Sequence, residues 1–434
     1  MQPKKFLNVL FYDKVSFYLL LAWVTMPIFI LIGQALRSEQ VIGNLFLMYI
    51  TILGLATLVF VLLYSYMIYR VNGNNYFRKS LAKRPWNLAF LAMLIWGLLA
   101  SLLANDLMLA FYGTTYRNDG FFTYCIYAAI YCCAQINRNE NLRKKVLQCF
   151  ILSSLLLCLI TILQYFNYST AFLGIYYQER LLTNLKYAAI FYHPNHYGYY
   201  LTMIIAVSAS LYWQTKRTPS QILYLFIFTI NTWCLVINNT FGCYLAVIFI
   251  CFAGALLVHR KNPEFSKTKC LIPLMLFILL TISSSQIVTN NFQVLSTDLK
   301  NIAVDNSSAK NAGSKRWELW TNGLDMLKAK PIFGYGPENL ENEYLVRDID
   351  QDRPHNEYLQ HALFLGIPAL IFYMIAIFML LKNWLINLRN LTNTTFISGL
   401  AVVAYLCSAF FGNTMFYTSI YLFLLLGYIP KDSK

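Results

Sequence analysis

The sequence predicts an all-α, polytopic membrane protein. About twelve transmembrane helices are expected, with one large extracytoplasmic loop that contains short helices of its own. Three observations carry that expectation. Apolar types make up 58% of the 434 residues and charged types only 12%, against about 25% charged in ordinary soluble domains. Apolar runs of about 20 residues, the length that crosses a bilayer, recur along the chain. Lysine and arginine gather in alternate connections between those runs. The same figures exclude a disordered chain, a collagen-like repeat and a disulfide scaffold.

The runs lie at roughly 15–36, 43–68, 87–105, 120–136, 146–166, 190–213, 221–238, 243–259, 270–288, 358–382, 393–411 and 415–430. Lys4, Lys5 and Lys14 precede the first run. Lys83 and Arg84 join the second to the third, and Arg143, Lys144 and Lys145 lead into the fifth. Lys216 and Arg217 precede the seventh, Lys267 and Lys269 the ninth, and Arg389 the eleventh. These basic segments mark the cytoplasmic side, so both termini are expected inside. The first run resembles a signal peptide in its basic flank, but it is too long and lacks a small-residue cleavage site, so it is expected to remain as a helix. The net charge of +15 is therefore a topology signal and not a nucleic-acid surface. The ten cysteines lie in or beside apolar runs and read as small core residues, not as metal ligands.

The chain then divides into residues 1–288 with nine spans, an outer loop at 289–357, and residues 358–434 with three spans. A loop of that length is usually functional or disordered. Ser314 is a plausible N-cap, with Trp317, Trp320, Leu324 and Leu327 following at helical spacing. Pro331 ends that helix, Gly334, Gly336 and Pro337 form a turn, and Glu338 to Arg347 suit a second short helix. The stretch 296–313, rich in Ser, Asn, Asp and Ala, is expected to be mobile.

Within this loop the chain reads Arg316-Trp317-Glu318-Leu319-Trp320, then Pro331-Ile332-Phe333-Gly334-Tyr335-Gly336-Pro337, then Arg353-Pro354-His355-Asn356-Glu357-Tyr358-Leu359, with Gly366-Ile367-Pro368 beyond. This resembles the signature of the O-antigen ligase family, which also holds O-antigen polymerases. In that family an Arg-x-x-x-Trp helix is followed by a Pro-x-x-Gly-x-Gly turn and a His-Asn-x-x-Leu helix start. Weaker echoes are Tyr116-Arg117-Asn118-Asp119-Gly120 before the fourth span and Pro194-Asn195 with Leu201 in the sixth. One turn departs from the family. Many members carry an arginine between the seventh and eighth spans, where this chain reads Asn239-Thr240-Phe241-Gly242.

The resemblance implies a GT-C-like membrane glycosyltransferase without metal or other cofactor. Its donor would be a glycan on a polyprenyl diphosphate, and its acceptor a hydroxyl of a glycan or lipid. Its other partners would be the membrane lipids and an upstream flippase. The active site would face outward from the plasma membrane. The residues suit this chemistry. A guanidinium offers a planar fork of donors to a leaving diphosphate, and Arg316 falls in the first turn of a helix, where anions are favoured. His355 at the mouth of the tenth span has the chemistry to take the acceptor's proton. The blander readings are a solvated arginine and a helix-capping histidine. Trp320, Tyr335, Asn356 and Asn195 are expected to bind substrate, and Arg117 is expected to supply the charge that Phe241 lacks, with Arg180 and Lys186 as other outer bases. His193 and His196 are spaced like a metal pair but read as cavity lining, since no further ligand completes a site.

Ligase and polymerase differ only in acceptor, and the residues do not separate them. A secondary transporter or flippase is the rival from another class. Such proteins usually show paired repeats and ionisable residues at mid-membrane, which this sequence lacks.

Overall fold

A computed structural model of the chain describes residues 4–36, 42–114, 117–166, 187–191, 193–264, 266–304 and 307–430. The described residues are helices and connections, without strands. Among the described residues, seven helices are long and apolar enough to cross a membrane. These lie within α1 (Lys4–Ala35), α2 (Ile42–Lys83), α3 (Pro85–Leu102), α6 (Glu140–Tyr165), α8 (Thr218–Asn238), α9 (Phe241–Lys261) and α15 (Ile367–Ile386). Shorter apolar helices are α5 (Phe121–Ile136), α10 (Lys267–Ser283), α16 (Asn393–Ala409) and α17 (Ser419–Tyr428). Between them lie α4 (Leu107–Tyr112) and α7 (Pro194–Gln214), and in and after the outer loop come α11 (Ser285–Val304), α12 (Arg316–Ala329), α13 (Glu341–Leu345) and α14 (Glu357–Leu365).

Local chemistry sets many of the boundaries. Asp106, Asn139, Ser266, Asn356 and Thr392 each accept a backbone N–H in the first turn of the helix they precede. Proline stands in the first turn of α3, α7, α8 and α15, where no intrahelical donor is lost.

At the centre is α7, which from His196 to Trp213 is wholly buried. It packs against α8, α9 and α16, while α3 packs on α15, α5 on α17 and α1 on α6. Aromatic pairs fill the joints: Phe150 stacks on Tyr421 at 4.8 Å between ring centres and Phe191 on Tyr197 at 5.6 Å. The outward faces carry Leu62 and Leu63 on α2, Leu91 and Ile95 on α3, Phe249 and Phe252 on α9, and Ile371 and Phe378 on α15, all exposed. So much contiguous apolar surface suits hydrocarbon and not water.

Four expectations need correction. Residues 358–382 are not one span: the chain breaks at Gly366, whose φ of +86° separates α14 from α15, so Pro368 starts a new helix and does not kink an old one. The helix of the outer loop begins at Arg316, and Lys315, in the left-handed region, precedes it; Ser314 makes no cap. The stretch 296–313 is not unstructured, since α11 runs through to Val304 and a short 3-10 turn spans Ser307–Asn311. The second short helix is only Glu341–Leu345. Tyr116, Glu179, Arg180 and Lys186 lie outside the described residues.

Candidate active site

The turn from Pro331 to Pro337 is welded to the break in the helix pair below it. Tyr335 and Gly336 donate their N–H groups to the carbonyls of Leu363 and Phe364, at 2.8 and 2.9 Å, and Ile367 donates to Pro331 at 2.8 Å. Gly334 has a φ of +65°, and a Cβ there or on Gly366 would collide with the carbonyl of Leu363 or Ile332. The spacing Pro-x-x-Gly-x-Gly thus serves close backbone approach. Trp96 on α3 adds a hydrogen bond to Ile332 O (2.9 Å) and stacks on Phe333.

Beside this joint lies a buried charge network that binds four separate segments. Arg353, fully buried, donates to Glu338 at 3.0 Å and Asp352 at 3.2 Å, and lies 3.5 Å from Asp119. Glu338 also accepts from Thr114 and from the backbone N–H of Asp119. Asp119 is held by Gln360 at 3.0 Å and by the Thr414 hydroxyl. Burial pushes the Asp119 carboxyl up to about 6, against the pull of Arg353. Asp352 is also buried, which would raise it, but Arg353 and Arg117 hold it at about 2. Burial works against the charge of Arg353, yet Glu338, Asp352 and Asp119 together hold its pKa above the ordinary arginine value. Sequence reasoning gave Arg353 no role, although it stands two residues before His355 within the quoted motif.

The network carries the chain straight into His355, which has a φ of +53°. Left-handed backbone at a non-glycine residue is uncommon and strained. His355, Lys315, Ser314 and Asn239 all have it, and all four line one cavity of about 530 Å³. One wall of the cavity is basic and polar, with Lys315, Arg316, His193, Asn195, Gln351 and His355. The rest of the lining is mostly apolar, with Val294, Leu295, Leu299 and Ile302 of α11 and with Phe241, which meets Phe292 edge-on at 5.3 Å; α11 also contributes Asp298, whose carboxylate accepts from Gly313 N at 2.8 Å.

Three buried polar atoms of cavity-lining residues have no partner: Nε of Arg316, Nε1 of Trp320 and the hydroxyl of Tyr199. All three can donate, and buried donors left unpaired are costly and call for an explanation. Arg316 also donates through Nη1 to Gly313 O at 2.9 Å, which fixes the guanidinium. Burial lowers its pKa somewhat from the arginine norm, without neutralising it.

His355 is held at both ring nitrogens, with Asn413 Nδ2 at 3.1 Å from Nδ1 and Gln351 Oε1 at 3.3 Å from Nε2. Burial, then the positive field of Arg316, His193 and Arg117, pulls its pKa to about 3. The imidazole is therefore neutral across the working range, well below the ordinary histidine value.

Of the residues expected from sequence, Arg316, His355, Trp320 and Asn195 meet at this cavity. Arg117 does not line it. Its guanidinium is clamped bidentately by Asp352, at 2.7 and 3.0 Å. Tyr335 does not line it either: its ring is buried under the ammonium of Lys330 and its hydroxyl donates to Met326 O. Asn356 caps α14 by accepting from Leu359 N at 3.0 Å. His193 accepts from Asn195 N at the start of α7, and His196 bonds the hydroxyl of Tyr417 at 2.8 Å. Among the described residues no three His, Cys, Asp or Glu side chains are placed to share a metal ion. Lys315 is the lining residue that sequence reasoning missed, although it stands directly before Arg316.

No curated protein matches the chain. Residues 223–374 match a family model described as O-Antigen ligase. The matched stretch runs from α8 into α15 and includes the Phe241 turn, both cavity walls formed by the outer loop, Arg316 and His355. The segment that carries the cavity's arginine and histidine is thus the part of the chain that is similar to the O-antigen ligase family.

Proposed function

We propose that the protein transfers a glycan from a polyprenyl-diphosphate carrier to an acceptor hydroxyl on the outer face of the plasma membrane, as a ligase of surface polysaccharide. The observation that carries this reading is the three unpartnered donors among the residues that line the cavity, beside its basic side chains. A diphosphate supplies the acceptor oxygens those donors lack, and the apolar wall of α11 suits the first isoprene units of the carrier. In this reading the short apolar helices and α7 also cross the bilayer, giving about twelve crossings of GT-C type, with both termini inside. The loop 289–357 then forms a catalytic unit between the first nine spans and the last three.

The acceptor oxygen attacks the anomeric carbon in line, forming the new glycosidic bond. The bond from that carbon to the diphosphate oxygen breaks, and the electron pair leaves with the diphosphate. Arg316 stabilises the growing charge on that oxygen in the transition state, and the ammonium of Lys315 screens the distal phosphate in the place that Phe241 leaves uncharged. Trp320 and Tyr199 donate to sugar or phosphate oxygens. No metal enters this scheme. His355 receives the acceptor's proton. Turning over the Asn413 amide pairs its buried, partnerless Oδ1 with Nδ1–H of the imidazole, and leaves Nε2 to act once substrate displaces Gln351. Burial first, and then the nearby cations, hold the histidine's pKa low, and the anionic donor offsets the cationic part.

Deleting the gene and analysing the lipid-linked glycans that accumulate tests this reading. Accumulated long chains support a ligase. Accumulated single repeat units identify a polymerase, and an unchanged pool contradicts both. Impermeant labelling of a cysteine placed at Ser307 in intact cells tests the outward orientation.

A further inference from the structure

A cavity of about 370 Å³ opens between α2, α3 and α5, at the opposite ends of α3 and α5 from the candidate site. The last turn of α3 adjoins Gly336, and α5 starts just after Asp119. This second cavity instead lies where α3 begins and α5 ends, at Arg84, Asn87, Gln135 and Arg138. Its polar end is built. Arg84 donates to Gln135 Oε1 at 2.9 Å, Gln135 donates to Asn87 Oδ1 at 3.2 Å, and Tyr131 donates to the same oxygen at 2.6 Å. The backbone N–H of Arg138 is pinned to the Asp13 carboxylate at 2.7 Å. The rest of the wall is apolar, with Val61, Phe90, Leu94 and Ala128, and a small void beyond continues it toward Phe423.

The cavity opens sideways. Leu91 lines it and is 47% exposed, and its neighbours on the outward face, Leu88 and Ile95, are exposed as well. A ligand arriving through that mouth comes from the hydrocarbon. We propose that this cavity binds an anionic phospholipid of the cytoplasmic leaflet, its phosphate between the guanidinium groups of Arg84 and Arg138 and one acyl chain in the apolar slot. Basic pockets between membrane helices on the cytoplasmic side suit such headgroups. A soluble anion has no use for the slot, and a zwitterionic lipid carries no net charge for the arginines to select. The inference rests on the inward orientation of the basic loops and is independent of the glycan-transfer reading.

Native mass spectrometry of the full-length protein in detergent, with phosphatidylglycerol and phosphatidylcholine of equal chain length, tests it. Two charges near the headgroup predict retention of phosphatidylglycerol over phosphatidylcholine by roughly tenfold. The double substitution Arg84→Gln with Arg138→Gln is expected to bring the ratio near one. Ala128→Phe, which fills the slot and leaves both arginines in place, is expected to lose the bound lipid, and it carries the test should the double variant fail to fold. Equal retention of the two lipids by the wild-type protein overturns the proposal, as does a preference that survives Ala128→Phe. Displacement of the lipid by inorganic phosphate alone identifies a simple anion site and overturns it too.

Discussion

The guanidinium of Arg353 donates to the carboxylate of Glu338 across 3.0 Å, with both side chains sealed from solvent. Those two residues join the glycine turn of the outer loop to the start of the half-helix that follows His355. Asp119 and Thr414 bring in the entrance of α5 and the connection after α16. The candidate site therefore hangs on a charge cluster whose members do not themselves line it.

Removing one member of such a cluster leaves the others buried and uncompensated, at a cost of about 3–5 kcal/mol. Arg353→Met should accordingly reduce yield of folded protein and lower its melting temperature. Asp119→Asn should be milder, because Glu338 and Asp352 still hold the arginine. Thermal melts of the two purified variants decide the order, and equal tolerance of both contradicts this role.

The glycines of the loop turn are expected to be as sensitive as the motif arginine, for a different reason. Gly334→Ala places a Cβ against the Leu363 carbonyl in a backbone region unfavourable to alanine, for a loss of about 2 kcal/mol or more. The expected result is a less stable protein whose residual folded fraction binds donor normally. Normal stability with lost donor binding would instead assign the turn to phosphate recognition.

Lys315 and Arg117 separate by mechanism. Lys315→Ala should raise the KM for donor by roughly tenfold with little change in stability, since it removes one exposed charge from the cavity wall. Arg117→Ala should act through stability, since it takes the bidentate partner from Asp352 and leaves it Arg353 alone. Steady-state kinetics with a melt on each variant tests the split. A purely kinetic defect from Arg117→Ala would return that residue to the substrate.

The pH dependence follows from the depressed pKa of His355. The free enzyme carries the imidazole neutral down to about pH 3, so kcat/KM should show no histidine ionisation between about pH 5 and 8. A break in kcat/KM can arise near pH 6 from Asp119, and it should vanish in Asp119→Asn. Bound donor adds negative charge, so kcat should fall with acid at a higher pH than about 3. A break near 6.5 in kcat/KM that persists in Asp119→Asn contradicts the cationic environment described for His355.

Much of the fold was legible because a bilayer imposes simple lengths. The runs at 146–166 and 221–238 match α6 and α8 within a few residues. The break at Gly366 was hidden, because 358–382 is mostly apolar and of spanning length, and the docking of Pro331–Pro337 onto it explains the interruption. The order of 296–313 was hidden for the opposite reason: its polar composition reads as loop, while α11 presents Val294, Leu295, Leu299 and Ile302 to the cavity at helical spacing. Arg316 and His355, singled out through their motif, both line the cavity. Arg117 was chosen over Arg180 and Lys186, and it does not line the cavity, because charge and motif do not reveal an ion-pair partner and Asp352 lies 235 positions away in sequence.

The central claim is that Arg316 grips the diphosphate of a lipid-linked donor. It is tested most directly by binding and transfer assays on purified Arg316→Lys and Arg316→Ala with a polyprenyl-diphosphate glycan. Both variants should insert and fold, with a loss of about 1 kcal/mol from the Nη1 bond to Gly313 O, because Nε has no protein partner to strand. Transfer should fall by roughly a hundredfold in the lysine variant, which keeps the charge but loses the fork, and further in the alanine variant. Near-normal transfer by folded Arg316→Ala would contradict the claim.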